Sequence, residues 1–64
     1  MNELEKVSFF SHMKIMRNEE LLDRILSHHN LAILHRNKGL KLHLAHNEWC
    51  MKEYRSEILR RCDG

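Results

Sequence analysis

Apolar positions recur at helical spacing over most of the chain. The clearest run is Leu21, Leu22, Ile25, Leu26, Ala32 and Ile33, which share one stripe at i, i+3, i+4 and i+7 intervals. Polar residues frame that run. Asn18 is placed to cap its start, and Glu19 and Glu20 stand in the first turn, where the helix dipole favours negative charge. His35, Arg36 and Lys38 bring cations to its end, and Gly39 suits the left-handed position beyond it. The pattern predicts a helix over about 19–38. Upstream, Leu4, Val7, Phe9, Phe10, Met13 and Met16 predict a short first helix capped by Asn2.

Beyond Gly39 two patterns compete. Read as a helix over about 41–62, Leu40, Leu44, Met51, Tyr54, Ile58 and Cys62 form one stripe, with Glu48–Lys52 and Glu57–Arg61 as i,i+4 ion pairs in the favoured order. The two long helices then match at roughly 30 Å each and suit an antiparallel hairpin. The other pattern is the strict alternation Leu40-Lys-Leu-His-Leu44 behind the turn signal Asn37-Lys38-Gly39. It predicts an α+β chain in which 31–36 and 40–45 pair as a β-hairpin within 31–45, and Asn47 caps a last helix. The lack of a good N-cap at residues 40–41 favours this alternative. A lone two-stranded hairpin is only marginally stable, however, and the Leu21–Ile33 stripe runs through its first strand. The expectation is therefore all-α: a short N-terminal helix plus an antiparallel helical hairpin.

Length changes the picture next. Residues 1–64 make one small domain. Below roughly 70–80 residues a core seldom supplies more than about 3–5 kcal/mol, so self-association, as a dimer for instance, or a partner chain is expected. An active-site cleft needs more chain to frame it, so no enzyme is expected. The longest apolar run is Leu31-Ala-Ile-Leu34, far short of the roughly 20 residues of a membrane span. No secretory h-region is present. With only Cys50 and Cys62, reduced thiols in the cytoplasm and no membrane contact are expected.

The net charge of +2 is uneven. Residues 1–23 carry Glu3, Glu5, Glu19, Glu20 and Asp23 against Lys6, Lys14 and Arg17. Residues 24–47 contain no acid but hold Arg24, Arg36, Lys38 and Lys41 with His28, His29, His35, His43 and His46. Acids and bases balance over residues 48–64. The middle is a basic segment that gains charge as histidines protonate.

Candidate chemistry comes from three groupings. His43, His46 and Cys50 stand at i, i+3 and i+7, on one helical face, with His28 and His35 on a neighbouring face. Histidine nitrogens and a thiolate are zinc ligands, and zinc would staple a small core. Against this, no Cys-x-x-Cys pair is present, and a polar flank rich in histidine is the plainer reading. No cofactor is required. His46 and Cys50 also have the spacing of a nucleophilic pair, without an oxyanion-hole glycine to serve it. His29 lies within the Leu21–Ile33 stripe and is expected to be a core or interface histidine. In the second grouping, the basic residues 24–47 can face phosphates, so a small nucleic-acid-binding regulator is an alternative, although no recognised binding motif is present.

The third grouping is apolar surplus. Leu42, Ala45 and Trp49 make a second apolar face on the last helix, opposite Leu44, Met51 and Ile58. Either the first helix covers that face, or it engages another chain. The function expected is a small cytosolic helical interaction protein that binds and inhibits or modulates a larger protein. Trp49 and Leu42 would enter an apolar groove of the partner, with Arg36, Lys38 and Lys41 steering toward its acidic rim.

Overall fold

The computed structural model describes residues 2–63. They form three helices: α1 (Glu3–Ile15), α2 (Asn18–Asn37) and α3 (Lys41–Asp63). Among the described residues there is no strand, so the all-α class holds and the β-hairpin at 31–45 is corrected. Residues 31–37 complete α2, and 41–45 open α3. The Leu44 N–H bonds to the Leu40 carbonyl at 3.0 Å, which commits the alternating segment to a helical turn. Leu40 and Leu44 then share a stripe while Leu42 points away and is 87% exposed.

Each helix end has a local cause. Asn2 caps α1 as expected: its side chain accepts from the Glu5 N–H at 2.8 Å, and the Glu5 carboxylate accepts from the Asn2 N–H at 3.3 Å. This reciprocal box satisfies a backbone donor on each side. Asn18 does not cap α2. The cap position is Arg17, in extended conformation and without a side-chain cap bond. Asn18 is instead the first helical residue, and its side-chain oxygen accepts from Arg61 at 3.0 Å. At the far end Gly39 takes φ 72°, the Leu40 N–H bonds to the His35 carbonyl at 2.9 Å, and the Gly39 N–H to the Arg36 carbonyl at 3.1 Å. This paired closure is a Schellman motif, which needs a left-handed residue and so favours glycine.

Residues early in α2 meet residues late in α3, and late meet early. Asn18 bonds to Arg61, His28 and His35 bond to Asn47, and the His35 ring lies 5.1 Å from that of His43. Helix α1 packs on α3 through aromatic rings: Phe9 is 5.1 Å from both Trp49 and Tyr54, and Phe10 is 5.9 Å from Trp49. Met13, Leu21, Cys50 and Tyr54 are the buried cluster, with Phe9, Phe10, Met16, Ile25, Trp49 and Ile58 packed around it.

The buried faces are rotated from the expected stripes. In α2 the inward positions are Leu21, Ile25, His28, Ala32 and His35, while Leu22, Leu26, His29 and Ile33 are exposed. His29 is therefore not a core histidine. In α3 the inward positions include Asn47, Cys50, Tyr54, Glu57 and Arg61, and the expected Leu40 and Cys62 lie outside. The cause is polar. Buried Asn47 and Glu57 each need partners, and turning α2 to bring His28 and His35 to Asn47 takes Leu22, Leu26 and Ile33 out of the seam.

Candidate interaction surface

Trp49 and Leu42 share one face of α3, but α1 divides them. Phe9 and Phe10 pack against the Trp49 indole and leave it half-buried. Leu42, two turns earlier, lies beyond this cover. Lys6, Leu42, Ala45, His46 and Trp49 line a shallow open groove of about 330 Å³. The first helix thus covers the Trp49 end of this face, and the Leu42 end remains open.

The expected cations gather near the same end of the molecule. Lys38 closes α2, and Lys41 opens α3. Arg36 and Lys41 flank a small apolar hollow with Leu40 and Leu44. Lys41 and Leu42 line a further depression beside Gly39 and His43. All three cations are exposed, and residues 24–47 contribute no carboxylate to counter them. Leu42 is therefore an apolar side chain beside an unneutralised basic turn.

Beneath this end runs a polar seam. Asn47 is 3% exposed and bridges α2 twice: its Oδ1 pairs with His28 Nδ1 at 2.8 Å, and its Nδ2 donates to His35 Nδ1 at 2.7 Å. The Asn47 oxygen needs a donor and the amide nitrogen needs an acceptor, so this arrangement gives His28 an Nδ1–H and His35 a bare Nδ1. His28 also stacks on Tyr54 at 5.9 Å. Burial pushes the Tyr54 hydroxyl above its usual range; the neighbouring Cys50 adds to the rise, and Arg24 opposes it.

The residues of the zinc reading are distributed along this seam. His43 faces His35, whereas the His46 Nε2 contacts the Cys50 Sγ at 3.6 Å. Among the described residues no three His, Cys, Asp or Glu side chains converge as a metal-holding group. Burial, reinforced by the charge of Glu53, pushes the Cys50 thiol above its usual range. That keeps it protonated, the opposite of what an activated nucleophile needs.

The second polar node contains the Glu57–Arg61 pair that the i,i+4 spacing predicts, but buried and extended to α1. Glu57 and Arg61 have the spacing of a surface pair, yet Glu57 is 5% exposed. It accepts from Arg60, and from Arg61 Nε at 2.8 Å. Arg61 then donates to the carbonyls of Met16 at 2.7 Å, Met13 at 3.1 Å and Lys14 at 3.2 Å. These carbonyls lie in the last turn and cap of α1, where the helix itself supplies only the Met16 N–H to the Met13 carbonyl at 3.3 Å. Arg61 is thus a capping group delivered from α3, and Glu57 holds it in place. The signal available in sequence was that neither Met16 nor Arg17, directly after Ile15, is a glycine or asparagine able to close α1.

The outer apolar residues of α2 were also misassigned. Leu22, Leu26 and Ile33 were expected in the core, and they lie on the surface with His29 between them. Among the described residues, no helix is long and apolar enough to cross a membrane. No protein-family model matches the chain, and no curated protein or solved structure is detectably similar to it.

Proposed function

We propose that this chain is a cytoplasmic helical interaction module that binds a larger protein and inhibits or modulates it. The chain works as an antiparallel helical hairpin carrying a short N-terminal helix, and it self-associates. Leu42 is the leading apolar contact and the exposed edge of Trp49 the second; both enter an apolar groove of the partner. Arg36, Lys38 and Lys41 meet an acidic rim on that groove and raise the rate of encounter. The observation that carries the reading is Leu42 itself, 87% exposed beside a half-buried tryptophan and an acid-free basic turn. Aromatic and arginine side chains at such positions are typical anchors of protein contacts.

Affinity capture from host lysate after nuclease treatment tests the reading. The expected result is a partner retained by the wild-type chain and lost with Leu42→Asp, a substitution on the surface that leaves helicity unchanged. Capture that disappears with nuclease, or that Leu42→Asp leaves intact, overturns it.

A further inference from the structure

Helix α2 carries apolar side chains on a face that no other described residue covers. Leu22, Leu26, His29 and Ile33 are separated by four, three and four residues, the interval of a coiled-coil seam. Leu22 is 58% and Leu26 59% exposed, and the four positions lie roughly 90° around the helix from the buried Leu21, Ile25 and Ala32. We propose that this face pairs with the same face of a second copy of the chain, with the two α2 helices antiparallel. The inference rests on the self-association proposed above and deepens it, and it uses a different face from that of Leu42 and Trp49.

The charge layout of α2 selects both the occupant and the orientation. Its N-cap and first two turns hold Glu19, Glu20 and Asp23 against Arg17 and Arg24, a net negative end; its last turn and cap hold Arg36 and Lys38 with no acid. A helix with one acidic and one basic end is complementary to itself only when reversed. An antiparallel pair brings each acidic end within a Debye length, about 8–10 Å, of the other copy's basic end. A parallel pair would set like against like. The helix dipoles favour the same arrangement.

A two-fold axis between Leu26 and His29 places Leu22 opposite Ile33 of the second copy, and Leu26 opposite His29 of the second copy. The contact is then isologous, with one surface used twice. It runs about 17 Å from Leu22 to Ile33 at 1.5 Å per residue. His29 supplies a single polar position near its centre, the kind of residue that fixes register in a helical seam.

Sedimentation equilibrium on the full chain tests this, with circular dichroism confirming helicity. The wild type is expected to dimerise. Leu26→Lys, and independently Leu22→Gln, should raise the dimer dissociation constant by about tenfold or more, whereas Leu42→Asp leaves it unchanged. Glu19→Lys combined with Asp23→Lys should weaken the dimer at low salt and matter less at high salt. A wild type that is monomeric at all concentrations overturns the inference together with self-association. A dimer that survives Leu26→Lys and Leu22→Gln but is broken by Leu42→Asp overturns this face and leaves self-association standing. Insensitivity to the charge reversal overturns the antiparallel orientation.

Discussion

Arg61 shows how much one side chain can organise in a fold with so small a core. Its guanidinium joins the C-terminal end of α1, the first residue of α2 and the Glu57 carboxylate of its own helix. Replacing it with methionine keeps the stem but takes the guanidinium donor from the Met13, Lys14 and Met16 carbonyls and removes one of the partners of buried Glu57. Loss of a hydrogen-bonded charge partner near a buried carboxylate costs roughly 2–4 kcal/mol, which urea denaturation would read directly. Glu57 adds a pH signature. Hydrogen bonding to Arg60 first, and to Arg61 as well, holds its carboxyl below the ordinary 4.5 despite opposing burial. A depressed folded value means the unfolded chain binds the proton more readily, so the stabilisation is complete above about pH 5 and fades as pH falls through the folded value. The stability difference between wild type and Glu57→Gln should therefore shrink steadily on acidification below about pH 5. A difference that stays constant to pH 3 would show that the Glu57 charge is not what the pairing uses.

The three helices were legible at the level of elements. The Asn2 cap and the closure at Gly39 are local signals that local hydrogen bonding produced, and the acidic start of α2 is a local signal that acts through the helix dipole. The rotation of α2 was not legible. Hydrophobic periodicity treats His28 and His35 as surface positions and Leu22, Leu26 and Ile33 as core. Which stripe turns inward depends on Asn47, twelve residues beyond His35 and on another helix. No single-helix pattern contains that pairing. The pairing of Arg61 with Glu57 was legible, but the same reason hid its reach to the end of α1, more than forty residues away in sequence. Asn47→Leu checks the explanation. It leaves the ring nitrogens of His28 and His35 facing an apolar group, at a cost of about 1–3 kcal/mol despite the added apolar bulk. If the seam were only a tolerated polar accident, the variant would be as stable as wild type or more so.

At the scale of the whole molecule, the extents of 38 × 24 × 16 Å are decisive. A helix with its side chains is about 10–12 Å across, so the thinnest direction cannot enclose a helix from both sides. Each helix buries one face and leaves another open. Leu4, Val7 and Ile15 on α1, Leu22, Leu26 and Ile33 on α2, and Leu42 and Leu59 on α3 all remain on the surface. Scattered singly, such residues need no explanation. Here they occur as an antiparallel-competent stripe on α2 and as an apolar point beside a basic turn on α3. In the proposed reading these two groupings serve separate faces: one for a second copy, the other for a larger acidic-rimmed partner.

The partner-binding claim is tested most directly by titrating the purified captured partner with wild type and with Leu42→Asp at matched helicity. The account predicts that Leu42→Asp weakens binding by about thirtyfold or more, the loss of a central contact worth at least about 2 kcal/mol. It also predicts that wild-type affinity falls as salt screens Arg36, Lys38 and Lys41. Equal affinity of the two chains would contradict the account.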